Sequence, residues 1–106
     1  MNGKPNKVTI GGKVITIVYS AENCSGDDYY GWFDSANMRI FINPKESLNI
    51  QESTLFHECL HAALFISGTK HLLKGKEEET VVRSLESMLH GLFVRNKKKF
   101  KNKKEG

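Results

Sequence analysis

Thr54-Leu55-Phe56-His57-Glu58-Cys59-Leu60-His61-Ala62-Ala63-Leu64-Phe65-Ile66 decides how this chain is read. On an α-helix, residues four apart return to nearly the same face one turn along the axis, so His57 and His61 present two imidazole nitrogens to one point. A helix that holds a tetrahedral zinc ion uses this spacing. Glu58 flanks the same point, at a reach that suits taking a proton from metal-activated water better than direct ligation. The rest of the run is apolar on nearly every side, which predicts a buried helix. Two histidines and a glutamate inside such a helix each need a partner, and a bound metal beside a substrate cleft supplies one. The alternative is a pair of core histidines with ordinary hydrogen bonds.

Outward from this run, Asn49 and Glu52 stand three apart like a capping pair and Gly68 offers a left-handed stop, so the helix is expected from about Asn49 to Gly68. Upstream, Val8-Thr9-Ile10 and Val14-Ile15-Thr16-Ile17-Val18-Tyr19 flank Gly11-Gly12, a tight-hairpin signal. Residues 21–28 are a polar loop rich in turn formers. Tyr29-Tyr30-Gly31-Trp32-Phe33 and Met38-Arg39-Ile40-Phe41-Ile42 read as a second strand pair around Asp34-Ser35-Ala36-Asn37, ended by Asn43-Pro44. Downstream, residues 69–76 form a basic connection and Glu77-Glu78-Glu79 opens a second helix with negative charge at its positive dipole end. Its apolar positions Val81, Val82, Leu85, Met88, Leu89, Leu92 and Phe93 follow helical spacing, and Arg95 with the following lysines closes it. The expected fold is α+β: a small antiparallel sheet of about four strands, packed on the zinc-binding helix and a C-terminal helix.

At 106 residues and 12.0 kDa the chain is expected to form one small domain over residues 1–96, followed by a basic, flexible tail at 97–106. The formal charge of +4 comes from that tail, where Lys97, Lys98, Lys99, Lys101, Lys103 and Lys104 crowd together; the body is slightly acidic. A solvated tail is the expectation, with contact to nucleic acid as its rival. No run is long enough to span a membrane and no signal-peptide pattern is present, so a cytoplasmic monomer without a membrane partner is expected. Cys24 and Cys59 do not make a disulfide framework and are expected reduced. Cys59 points away from the metal side of its helix and reads as core.

A catalytic zinc takes three protein ligands and keeps a fourth position open, so one ligand remains to be found. The metzincin pattern is excluded, because Leu64 and Ser67 stand where it needs glycine and histidine. A carboxylate from the second helix is the better source. Glu78 shares a face with Val81, Val82 and Leu85, whereas Glu79 shares one with Val82, Glu86 and His90, so Glu78 is favoured over Glu79. His71, in the basic connection, is the competing ligand. Tyr29, Tyr30, His71 and His90 carry chemistry suited to an oxyanion donor.

With these elements placed, the chain resembles the small zincin-like metallopeptidases of phages and prophages related to the ImmA/IrrE metallo-endopeptidases. The resemblance runs from the hairpin Val8 to Tyr19 through Gly31-Trp32-Phe33-Asp34 and Met38 to Ile42, then through Thr54 to Ala62, Glu77 to Glu86 and Gly91-Leu92-Phe93. It implies His57 and His61 as zinc ligands, Glu58 as the catalytic glutamate, one of Glu78 or Glu79 as third ligand, and an extended peptide lying along an edge strand beside the zinc helix, here expected to be Met38 to Ile42. His57 to Ala63 also resembles the active helix of SprT-like proteases, in which His71 would matter; the His-Gly pair of that family is absent, since Leu72 follows His71.

The expected function is hydrolysis of a peptide bond in a peptide or protein substrate, by zinc-activated water with Glu58 as general base. The rivals are a protein-binding module with a non-catalytic zinc, and a SprT-like protease with nucleic-acid contact. Glu58 speaks against a purely structural ion, whose site is usually closed by four side chains.

Overall fold

The computed structural model describes residues 4–89. The expected continuation of the second helix through His90, Leu92, Phe93 and Arg95, and the basic tail, lie outside the described residues.

Strands β1 (Lys7–Ile10) and β2 (Lys13–Tyr19) form the expected hairpin. Gly11 and Gly12 turn it with φ of 55° and 79°, backbone that the right-handed twist of a two-residue hairpin requires. Strict alternation along β2 sends Ile15 and Ile17 into the core while Val14 and Thr16 stay exposed. Strands β3 (Gly31–Asp34) and β4 (Arg39–Ile42) form the second antiparallel pair. Its turn is tied by Asp34, whose carboxylate accepts from the Asn37 backbone and side chain and from Arg39. Those hydrogen bonds hold the Asp34 carboxyl below its ordinary pKa.

The two pairs join in a way the expected antiparallel sheet did not foresee. The strand order is β1-β2-β4-β3, and β2 and β4 run parallel, so the sheet is mixed. The chain between Tyr19 and Arg39, which carries β3, is long enough for the crossover a parallel pair needs. Burial explains why β4 takes the inner place: Ile40, Phe41 and Ile42 are all buried, with apolar contact on both faces. Ile40 and Ile42 face the helix, whereas Phe41 stacks on Trp32 at 4.9 Å between ring centres. The expected substrate edge at Met38 to Ile42 is therefore corrected. That strand is interior, and the open edge on this side belongs to β3.

Helix α1 (Leu48–Ile66) crosses one face of the sheet. Its cap is Ser47, whose side chain accepts from the Ile50 amide at 3.3 Å, and not the Asn49–Glu52 pair. Gly68, with φ of 79°, follows its end as expected. Its buried residues are Gln51, Thr54, Glu58 and Ala62, so only one face is covered. A core of Ile15, Ile17, Ile40, Ile42 and Ala62, flanked by Phe33, Leu55, Cys59 and Ile66, joins helix to sheet. A short 3-10 turn at Thr69–Leu72 leads to helix α2, over residues 75–89.

Two contacts fix how β3 meets α1. Gly31 lies where a Cβ would overlap the Phe41 carbonyl oxygen and come within 2.8 Å of Thr54 Cγ2, so the strand and helix backbones approach as closely as glycine alone permits. Asn43, fully buried, donates to the Gly26 and Tyr29 carbonyls and accepts from the Lys45 amide. It staples the loop before β3 to the end of β4.

Candidate metal centre

The His57 and His61 rings lie side by side on α1, 4.9 Å between centres, and α2 brings carboxylates to all four of their nitrogens. On the outer side, His57 Nδ1 meets Glu86 at 2.7 Å and His61 Nδ1 meets Glu78 at 2.6 Å. On the inner side, both Nε2 atoms face Glu79, at 3.1 Å from His57 and 3.4 Å from His61. A neutral ring that donates from Nδ1 to its outer carboxylate turns the Nε2 lone pair inward, which is how carboxylates orient metal-binding histidines.

The inner groups could hold a metal ion. Ligand atoms of His57, His61 and Glu79 lie within 4.8 Å of one another. Tetrahedral donors each about 2.0–2.1 Å from zinc stand roughly 3.3 Å apart, and each Nε2 lies at about that separation from a different oxygen of the Glu79 carboxylate. Glu79 Oε1 is buried and takes no hydrogen bond. With only ion-pair contacts to His57 and, at 3.5 Å, to Arg83, this anionic oxygen beside two imidazoles is a donor that a metal ion could share.

Glu78, favoured as third ligand from the sequence, lies against the outer side of His61, and the group that could hold an ion contains Glu79 in its place. The Glu78 carboxylate grips the outer nitrogen of His61 and an ion pair with Lys70 at 3.3 Å, while Glu79 supplies the inner oxygen. The two residues are about 100° apart on α2, and α2 docks through the Glu79, Val82 and Glu86 face that the sequence had offered as second choice. Burial works against the Glu78 carboxylate, but the hydrogen bonds and charge of His61 and Lys70 outweigh it and hold its pKa below the ordinary value. His71 is exposed in the 3-10 turn and does not join the cluster. Glu86 is a member of the cluster that the sequence reading missed; its seven-residue spacing from Glu79, two helical turns on one face, was the available signal.

No family model, curated protein or solved structure matches this chain.

Glu58 lies behind the histidines and is nearly buried. Burial pushes its carboxyl above the ordinary range; Glu79 and Glu86 add to the rise, and His61 and His57 oppose it. It faces a cleft of about 430 Å³ that also takes in His57, Arg83 and Glu86 on one side and Asp28, Tyr29, Tyr30 and Gly31 on the other. The second wall is the start of the open edge strand, held in place by Asn43 and by the close Gly31 approach. In an antiparallel pair alternate residues bond to the partner, and Asn43 donates to Tyr30. Gly31 and Phe33 therefore turn their backbone N–H and C=O groups away from β4, toward the open edge. Among the described residues no helix is long and apolar enough to cross a membrane.

Proposed function

We propose that this chain is a zinc-dependent metallopeptidase in which His57, His61 and Glu79 hold the ion and Glu58 is the general base. The observation that carries the reading is the paired bracing of the two histidines. Each outer nitrogen is spent on a carboxylate, and the inner nitrogens converge on the Glu79 carboxylate, whose buried Oε1 takes no hydrogen bond. A three-donor set of this composition is the open, catalytic kind, and a structural ion would ask for a fourth side chain. Zinc is favoured by two imidazoles and a carboxylate, and its resemblance to the small phage and prophage zincin-like peptidases supports the same choice.

An ion held there supplies Lewis acidity toward a carbonyl oxygen and acidifies water to about pKa 7. The remaining work belongs to the chain. Gly31 and Phe33 bind an extended peptide by adding it to the β3 edge, so that one peptide bond crosses the cleft floor at His57 and Glu58. Glu58, raised in pKa by burial, takes a proton from the attacking water and returns it to the departing amine. Glu78 and Glu86 keep the imidazoles in the correct tautomer throughout.

Zinc per chain and peptide cleavage test this together. Wild type and Glu58→Gln should each carry about one zinc, while His61→Ala and Glu79→Ala lose it. A library of peptides from a digested proteome should be cut by wild type and left intact by Glu58→Gln. Zinc-free wild type after zinc has been offered, or a Glu58→Gln protein as active as wild type, would overturn the proposal.

A further inference from the structure

Arg83 is the one lysine or arginine among the residues lining the cleft, where it stands with Asp28, Glu58 and Glu86. It lies one turn after Glu79 on α2, and its Nε is 3.5 Å from Glu79 Oε1. That same oxygen is the one 3.1 Å from His57 Nε2, so the guanidinium is stationed at the rim of the inner ligand set. The side chain is nevertheless 72% exposed, and no described residue takes a hydrogen bond from it. An arginine presents five N–H donors in a planar fork. Contact through Nε alone leaves both terminal NH2 groups for something in the cleft.

A surface ion pair four residues along a helix is the ordinary reason for such an arginine and contributes only about 0.3–0.5 kcal/mol. Two observations separate Arg83 from that case. Its partner is a buried carboxylate oxygen beside the histidines, and the cleft it enters is otherwise lined by acidic and neutral groups. Hydrolysis of an amide in that cleft needs a cation at one moment. When water adds to the carbonyl carbon, its proton passes to Glu58 and the C=O π pair moves onto oxygen. When that pair returns, the C–N bond breaks and the amine takes the proton from Glu58, leaving a carboxylic acid whose remaining proton then passes to the amine or to solvent. Glu58 handles the proton; beside the Lewis acidity a bound ion would supply, the oxygen still needs a donor from the chain itself.

We propose that Arg83 is a catalytic residue of the cleft, its guanidinium donating to the scissile carbonyl oxygen as that oxygen becomes an oxyanion. The assignment rests on the peptidase reading. Tyr29 and Tyr30, on the opposite wall, are the neutral competitors. Arg83 is preferred because its place is tied to Glu79 by the 3.5 Å ion pair and because it carries the complementary charge.

The test uses the zinc-loaded full chain and the peptide best cut by wild type. Arg83→Ala should keep one zinc per chain, lower kcat about 100-fold and leave KM within about threefold, with part of kcat restored by Arg83→Lys. A phosphonamidate analogue of that peptide, which carries the tetrahedral anion, should bind Arg83→Ala weaker by about the same factor. Binding of the intact peptide to Glu58→Gln should not change when Arg83→Ala is added. The proposal is overturned if Arg83→Ala loses zinc, if KM rises while kcat holds, if the analogue binds as before, or if Tyr29→Phe or Tyr30→Phe shows the loss and Arg83→Ala does not. A wild type that holds zinc and cuts no peptide defeats the peptidase reading itself, whatever Arg83 does.

Discussion

Replacing Gly31 by alanine should damage the fold and the cleft through one methyl group. Built on the present backbone, the new Cβ overlaps the Phe41 carbonyl oxygen and stands 2.8 Å from Thr54 Cγ2. The carbonyl belongs to the interior strand and the methyl to the buried face of α1, so neither obstacle is the free end of a flexible side chain. Overpacking of a tight site costs about 1–3 kcal/mol, and a clash with fixed backbone belongs at the upper end. For a domain of this size about 3 kcal/mol lowers the melting temperature by roughly 10–20 °C. Thermal unfolding followed by circular dichroism reads this directly. Thr54→Ala removes the methyl but not the carbonyl, so the double variant should recover only part of the loss. Gly75→Ala is the control, since nothing lies within 4 Å of its Cβ. If Gly31→Ala melts within about 3 °C of wild type, β3 and α1 are not pressed together as described, and the wall of the cleft is not fixed by them.

Asn43→Ala removes two donated hydrogen bonds and one accepted bond at a fully buried position, and should cost about 2–4 kcal/mol in denaturant unfolding; a loss below about 1 kcal/mol would show that the staple is not needed. Glu86→Ala removes the outer brace of His57 without touching an inner ligand atom, so zinc affinity in competition with a chelator should fall about 10–100-fold while one zinc per chain still binds at saturation. Stoichiometry lost altogether would make Glu86 a ligand. Cys24 is fully buried, and burial, with Glu58 nearby, pushes the Cys59 thiol up to about 11. Because the thiolate is the reacting form, both should resist a thiol reagent at pH 8 in the native protein and react fully once unfolded; rapid native reaction would contradict the placement of α1.

Much of this fold follows from local pattern. The Gly11-Gly12 hairpin, the alternation of β2, the four-residue step from His57 to His61 and the stop at Gly68 are each set within a few residues, and the structure has them where the sequence places them. What the sequence left open is set between elements. Nothing within either hairpin states how the two join, and β4 became interior only because its apolar residues on both faces meet partners far along the chain. The helix cap moved to Ser47 because Gln51 donates back to the Pro44 and Glu46 carbonyls and draws the first turn toward the preceding loop. Glu78 and Glu79 are adjacent, so a rotation of α2 by one residue exchanges inner oxygen for outer brace. The apolar stripe used to choose between them proved a poor guide, since Met88 is 75% exposed and Leu85 and Leu89 are also exposed among the described residues.

That last point bears on how α2 is attached. Among the described residues, Val82 is the only fully buried apolar side chain of this helix, and its seam with α1 includes His57 and His61 against Glu78, Glu79 and Glu86. An apolar seam holds in any buffer. This one gathers three carboxylates around two imidazoles, and on the proposed reading the ion that offsets their charge is also the ion that does chemistry. Binding free energy then becomes docking free energy. Chelation would not leave an intact but idle protein: the amides of α2 would be the first to exchange with solvent, ahead of those in the sheet. Metal supply would decide how much of the chain is folded, as well as whether it works.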